Sequence, residues 1–306
     1  STKLGRGRLQ AMKRFALVML LLISLVSSGL GNNSQRPPNF VIIMADDLGY
    51  GDLSCYDGWI QTPHLDRLSR EGLRLTDFHS NGSVCSPTRA ALVTGRYQQR
   101  VGIPRVIVAK TDAAEHRNGL GKSERTFAEA LAKHGYATGI FGKWHLGEKN
   151  SGRFDVWKGF NSHGGHWEEG RQSFQSGKYK PATQTEDMIT FLESDHASKK
   201  PFLAVQSYYP PHNPFTAPIK SYARYRGKGV PFAGYYASIT ALDDLVGKIR
   251  DALVRTTHAE NTVVFYVSDH GETFNFAETA PHKWVCQDSS IRVPFLMEGP
   301  GIPEGS

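Results

Sequence analysis

Residues 39–45 (NFVIIMA) form a short unbroken apolar run that ends on Asp46, Asp47, Leu48 and Gly49. Similar runs recur at 138–141, 202–207 and 262–268. Apolar stretches of this length, without alternation, predict strands buried on both faces. Between them the period changes. Residues 63–70 open on Pro63 at a first helical turn, and Thr126 with Glu129 forms a capping box before a helix ending near His134 and Gly135. Residues 236–254 carry apolar positions at helical spacing. Strands alternating with helices predict an α/β domain, a mainly parallel sheet flanked by helices. Ligands of such sheets bind beyond the carboxyl ends of the strands, which is where the polar residues of this chain fall.

Two stretches break the alternation. Residues 147–181 are rich in Gly, Lys and aromatics with no period, and read as a long loop excursion. Residues 292–297 read as a strand with no covering helix after it, so a catalytic domain at 32–306 is expected to be truncated at its C-terminus.

Charge changes the picture at the other end. The chain has 306 residues and a net charge of +7, but Lys3, Arg6, Arg8, Lys13 and Arg14 supply five of those charges, leaving +2 for residues 32–306. The apolar run 15–26 follows them, then Ser27, Ser28 and Gly29. Twelve residues are too few to span a bilayer and fit the core of a secretory signal. Met12 reads as the start of that signal, with residues 1–11 upstream of it and cleavage near Asn32. The expectation is an exported protein (periplasmic, secreted or lumenal) with no stable membrane insertion after cleavage. The basic excess is no argument for a nucleic-acid partner. Three cysteines, Cys55, Cys85 and Cys286, exclude a disulfide scaffold, and their spacing excludes a zinc finger.

Three groups carry chemistry. Asp46 and Asp47 are adjacent, so both can converge on one hard cation only where a strand opens into a loop; the plain alternative is helix N-capping by one of them. Asp269 and His270 repeat the arrangement after another strand, and both pairs can meet on one edge of a parallel sheet. The segment Cys85-Ser86-Pro87-Thr88-Arg89 places a thiol and a guanidinium at a helix start, an electropositive position suited to a nucleophile or an anion. A small buried cysteine before a helix is the alternative there.

The stretch CSPTRAALVTGR at 85–96 resembles the signature of the type I sulfatases, formylglycine-dependent, arylsulfatase-like members of the alkaline-phosphatase superfamily. MADDLGYGD at 44–52, GKWHLG at 142–147, PPHNPF at 210–215, SDHGE at 268–272 and HKWVCQDSSIRVP at 282–294 follow in the family's order. The resemblance covers roughly residues 39–303 and implies a large, mainly parallel mixed sheet, with a smaller C-terminal subdomain beyond the end of this chain.

It also implies that a maturation enzyme, the formylglycine-generating type, converts Cys85 to Cα-formylglycine. The hydrate of that aldehyde carries two hydroxyls: one attacks sulfur, and the other expels sulfate by collapsing back to the aldehyde. Asp46, Asp47, Asp269 and His270 would hold one Ca²⁺, together with the residue derived from Cys85. Many members carry Asn where this chain has His270. Arg89, Lys143, His145, His212 and Lys283 would form a cationic wall around the sulfate. In it Arg89 orients the formylglycine, His145 assists as a base, and His212 and Lys283 lie near the leaving oxygen.

The implied activity is removal of sulfate from a small-molecule or glycan ester. Two alternatives stand beside it: a phosphonate monoester or phosphodiester hydrolase of the same superfamily, and an inactive sulfated-glycan-binding homologue. His163, His166, Glu168 and Glu169 resemble a second metal cluster, but a substrate-facing or solvated loop is the favoured reading.

Overall fold

The strands form where the apolar runs predict them. β1 spans Asn39–Asp46, β3 Ala137–Lys143, β5 Phe202–Pro211 and β6 Thr262–Ser268. The computed structural model describes residues 36–107, 119–147, 153–161, 165–168, 177–230, 232–272 and 283–306. The chain divides after Pro37, and residues 38–306 make up the unit considered below. The expected signal segment, His163, Glu169 and His282 lie outside the described residues.

Three further strands complete a seven-stranded sheet in the order β2-β7-β6-β1-β5-β3-β4: β2 (Leu73–Leu75), β4 (Val156–Phe160) and β7 (Phe295–Glu298). Strands β6, β1, β5, β3 and β4 are parallel, whereas β7 and β2 add antiparallel at one edge. The sheet is therefore mixed and mainly parallel. Position-by-position pairing brings the ends of β1, β6 and β3 level with Ser207 of β5: Met44 faces Ser207, Ala45 faces Ser268, and Gly142 faces Ser207.

Helices cover both faces. Those introduced here are α1 (Pro63–Glu71), α2 (Cys85–Thr94), α3 (Phe127–Lys133), α4 (Lys180–Leu192), α5 (Asp195–Lys199), α6 (Ile219–Tyr222), α7 (Ala233–Arg255) and α8 (Asp288–Ile291). Along β1, Val41, Ile43 and Ala45 enter the core under α7 and α4, while Phe40 and Ile42 pack on the other side with Ala90, Val93 and Ile140. This is the two-sided burial that unbroken apolar strands require. α7 buries Ile239, Leu242, Val246, Ile249 and Leu253 in one helical stripe. The Thr126 capping box is formed, with Thr126 Oγ1 accepting from Glu129 N at 3.3 Å and Glu129 Oε2 accepting from Thr126 N at 2.9 Å. Among the described residues, no helix is long and apolar enough to cross a membrane.

Two readings need correction. The segment 147–181 is not all loop: Val156–Phe160 pairs in register with β3, and α4 begins at Lys180. Of its described aromatic residues, Phe154 and Trp157 pack against Trp144. The strand near 292–297 is not uncovered, since α1, which precedes it by more than 200 residues, packs on β7.

Candidate active site

β1 ends on Asp46, and Asp47 then takes a left-handed backbone conformation (φ 65°), which turns the chain off the sheet and lets both carboxyls address one space. β6 ends at Ser268, and Asp269 follows with its N–H on the Ala45 carbonyl at 3.1 Å. The N-terminus of α2 points at the same place, with Cys85 as its first residue. Gly142 lets β3 close up to β5. Its φ is +103°, and an added Cβ would stand 2.0 Å from the Ser207 carbonyl oxygen. Lys143 comes next and is buried.

The side chains form one network. Cys85 Sγ lies 3.3 Å from Asp46 Oδ1, 3.3 Å from His270 Nε2 and 3.4 Å from Lys143 Nζ. Lys143 is ion-paired with Asp46. Asp47 meets His270 Nε2 at 3.0 Å, Lys283 Nζ at 2.8 Å and His212 Nε2 at 3.6 Å. Asp269 Oδ1 accepts from the backbone N–H groups of Asp47 (3.2 Å) and His270 (2.9 Å), and its Oδ2 accepts from Arg89 Nε at 3.0 Å. Arg89 also donates through Nη1 to the Lys143 carbonyl at 3.0 Å and to Ser207 Oγ at 2.6 Å. All these groups are buried except Lys283, which is partly exposed.

Burial and opposite charge compete at each titratable group. Removal from water would raise the Asp46 carboxyl, yet Lys143 and Arg89 hold it well below the usual carboxylate range. Asp47 is likewise lowered, by His270 and His212 against its burial. Burial raises Asp269, and the neighbouring Asp46 adds to the effect. The Cys85 thiol is raised by burial and by Asp46. His270 goes well above the ordinary imidazole value, because Asp269 and Asp47 outweigh burial. Burial, then the charges of Lys143 and Arg89, push His145 down to about 2, so its ring is neutral. Burial also lowers His212.

One ligand atom from each of Asp46, Asp47, Cys85 and His270 lies within 4.8 Å of the others. Two buried carboxylates converging with an imidazole fit a divalent cation, and the carboxylates favour a hard one. Asp269 stands beside this group, its Oδ1 3.7 Å from His270 Nε2, with its oxygens engaged by backbone N–H groups and Arg89.

Of the expected cationic residues, Arg89, Lys143, Lys283 and His212 all touch an acid of this network. His145, with φ 59°, directs Nε2 to the Ile107 carbonyl at 3.0 Å. Ser207 and Tyr209 also belong to the site without a motif that marks them. The available signal for the first was the pair of polar residues, Gln206 and Ser207, that closes the run 202–207. For the second there was none, because an aromatic on a buried strand reads as core. Lys143 Nζ lies 5.2 Å from the centre of the Tyr209 ring.

The solvated-loop reading fails for His166, which is fully buried with both ring nitrogens facing backbone carbonyls. Glu168 meets Thr183 Oγ1 at 3.4 Å, and no metal cluster forms around these two among the described residues. Cys55 and Cys286 are free thiols.

Comparison with known proteins adds a family. The Sulfatase family model matches residues 38–305. An ulvan-active sulfatase of Formosa agariphila is 33% identical over 304 residues, covering 87% of this chain and 57% of the relative. An arylsulfatase of Hemicentrotus pulcherrimus is 31% identical over 330 residues, covering 90% of this chain and 57% of the relative. Thus this chain spans a little over half the length of either relative. Among solved structures, Ps i-CgsB in complex with k-i-k-neocarrahexaose superposes with a TM-score of 0.78 at 25% identity, covering 88% of this chain and 68% of that one.

Proposed function

The chain belongs to the sulfatase family, and from that premise we propose that it hydrolyses sulfate esters, with a sulfated carbohydrate as substrate. The observation that carries this reading is the position of Cys85. Its Sγ is at the N-terminus of α2, within 3.4 Å of Asp46, His270 and Lys143. An anion brought to that atom meets a helix N-terminus and several aimed cations. At an effective dielectric of 20, each unit charge at 4 Å is worth about 4 kcal/mol. The carbohydrate rests on the relatives, one named for activity on ulvan and one solved with an oligosaccharide.

Cys85, oxidised to formylglycine by a maturation enzyme, would supply a hydrated aldehyde as nucleophile with its own exit. Asp46, Asp47, Asp269 and His270, with the residue derived from Cys85, would hold Ca²⁺, which would neutralise sulfate oxygens and lower the pKa of the attacking hydroxyl. The remaining work belongs to the chain's own side chains. Arg89 ties α2 to β5, β3 and Asp269 at once, so it fixes the nucleophile's distance from the acids. Lys143, paired with Asp46, and Lys283, paired with Asp47, would bring positive charge to the sulfate.

Two histidines have their tautomers set by carbonyls, which can only accept. His212 Nδ1 carries its proton to the Asn213 carbonyl at 2.7 Å, so a proton moved to the leaving oxygen passes through Nε2. His145 Nε2 carries its proton to Ile107, which makes Nδ1 the basic atom of a neutral ring. The leader expected at residues 12–31 would place this chemistry outside the cytosol.

Turnover of an aryl sulfate against an aryl phosphate diester tests the reading. Dominant diester hydrolysis would replace it with the phosphodiesterase alternative. Mass spectrometry of the Cys85 peptide tests the nucleophile separately: the aldehyde is about 18 Da lighter than cysteine by its atoms.

A further inference from the structure

His166 is fully buried and hydrogen-bonds the backbone on which His212 stands. Its Nε2 faces the His212 carbonyl at 2.7 Å, and its Nδ1 faces the Thr216 carbonyl at 2.9 Å. One imidazole thus lies between the carbonyls at the two ends of the segment 212–216. The strip that carries it is anchored in turn. Lys180 N donates to the His166 carbonyl at 3.0 Å and Glu168 N to the Lys178 carbonyl at 3.0 Å, which fastens 166–168 to the start of α4. Trp167 Nε1 donates to Thr216 Oγ1 at 3.2 Å.

The His212 ring is held from another side by Tyr209. The two rings stack at 4.7 Å between centroids with 25° between planes, and His166 meets the Tyr209 ring edge-on at 5.2 Å. Tyr209 Oη donates to the Asn213 carbonyl at 3.1 Å, the same oxygen that receives the His212 Nδ1 proton. His212 has only two side-chain torsions. Fixing its backbone, its ring plane and its Nδ1–H therefore fixes where Nε2 points.

We infer that His166 is a positioning residue for His212: it holds the 212–216 backbone so that His212 Nε2 addresses Asp47 and the ester beyond it. The inference rests on the sulfatase reading for its effect on turnover, and on geometry alone for its effect on His212. Burial pushes His166 down to about 4. A neutral ring donates to one carbonyl at a time, and in the Nε2–H tautomer that bond goes to His212. Displacing a reacting group by about 1 Å can cost on the order of 100-fold in rate. His212 acts on charge that develops only in the transition state, so the loss belongs in kcat rather than KM.

The test is a double-mutant cycle on the full chain with an aryl sulfate. His166→Phe is expected to lower kcat tenfold or more with KM changed less than threefold. In the His212→Ala background the same substitution is expected to change kcat less than twofold. His166→Gln, whose amide can still donate to the His212 carbonyl, is expected to stay within threefold of the parent. Equal losses in both backgrounds would overturn the inference, as would unchanged kcat in folded His166→Phe.

A second measurement does not need turnover. The His212 Nδ1–H proton resonance, assigned by its disappearance in His212→Ala, is expected to be slow to exchange and to be lost in His166→Phe. If it persists, the inference falls. If the parent protein hydrolyses no sulfate ester, the sulfatase reading fails and this resonance alone decides. If neither His166 variant folds, His166 is a core residue and not a positioning one.

Discussion

Cys85 Sγ and Asp46 Oδ1 stand 3.3 Å apart although 39 residues separate them. The contact joins the first turn of α2 to the last residue of β1, and it places a thiol raised by burial and by Asp46 where a thiolate would be disfavoured. A cysteine in that setting is a poor nucleophile as it stands. The proposed conversion to formylglycine would replace it with a group that need not ionise at sulfur.

Cys85→Ala is therefore expected to remove sulfate-ester turnover to background while costing about 1 kcal/mol of stability, as a small buried truncation does. Steady-state assays beside a thermal melt check both halves. Turnover retained in this variant would show that the nucleophile lies elsewhere.

A second expectation concerns the acids. Ca²⁺ that binds only the folded state at 100 times its Kd adds about 2.7 kcal/mol of stability. The melting temperature should rise on titration with calcium and fall again with chelator. In Asp46→Asn, where one of the converging carboxylates becomes an amide, that response should shrink or vanish. The melt reads metal binding without any assay of activity. A calcium response equal in both proteins would take Asp46 out of the ligand set.

The central sheet was legible because its strands are buried on both faces, so 39–45, 202–207 and 262–268 are mostly apolar and show no alternation. β4 was hidden for the opposite reason. As an edge strand with Lys158 exposed on it, Val156–Phe160 lacks the unbroken apolar run that marks an inner strand. At the site, Asp46, Asp47, Cys85 and Arg89 announced themselves through adjacent acids and a Cys-x-Pro-x-Arg segment. His166 did not. A histidine in a Gly-rich stretch looks solvated, and only the fold reveals that carbonyls of residues 212 and 216 wait for its nitrogens. Hydrogen bonds to backbone leave no pattern in side-chain spacing.

Gly142 gives a prediction about the scaffold of Lys143. Its φ of +103° is strained for any side chain, and a Cβ would meet the Ser207 carbonyl at 2.0 Å. Ser207 Oγ also receives Arg89, so a shift there reaches the nucleophile's helix. Gly142→Ala should destabilise the fold by about 3 kcal/mol or more, since backbone strain and overpacking act together. Chemical denaturation checks the magnitude; a change under 1 kcal/mol would mean that β3 and β5 can part locally without cost.

The last prediction lies one turn beyond the paired acids. Asp52 Oδ2 accepts from Tyr235 Oη at 2.6 Å and from Gly49 N at 3.0 Å, which braces the loop that leaves β1. Removal from water raises its pKa from 3.8 to about 6, more than these two bonds lower it. Its folded-state pKa is thus above its unfolded one, so the folded protein binds the proton more tightly. The stability this carboxyl contributes is fully present below about pH 4 and is lost as pH rises through 6. The cost above pH 6 is on the order of 2–3 kcal/mol. Asp52→Asn keeps an oxygen for Tyr235 and Gly49 and removes the charge. It should match the parent near pH 3.5 and exceed it in stability at pH 7 by on the order of 2 kcal/mol. Denaturant melts of both proteins in chelator, from pH 3.5 to 7, measure the difference curve. A flat curve would mean that Asp52 is ionised in the fold at no cost.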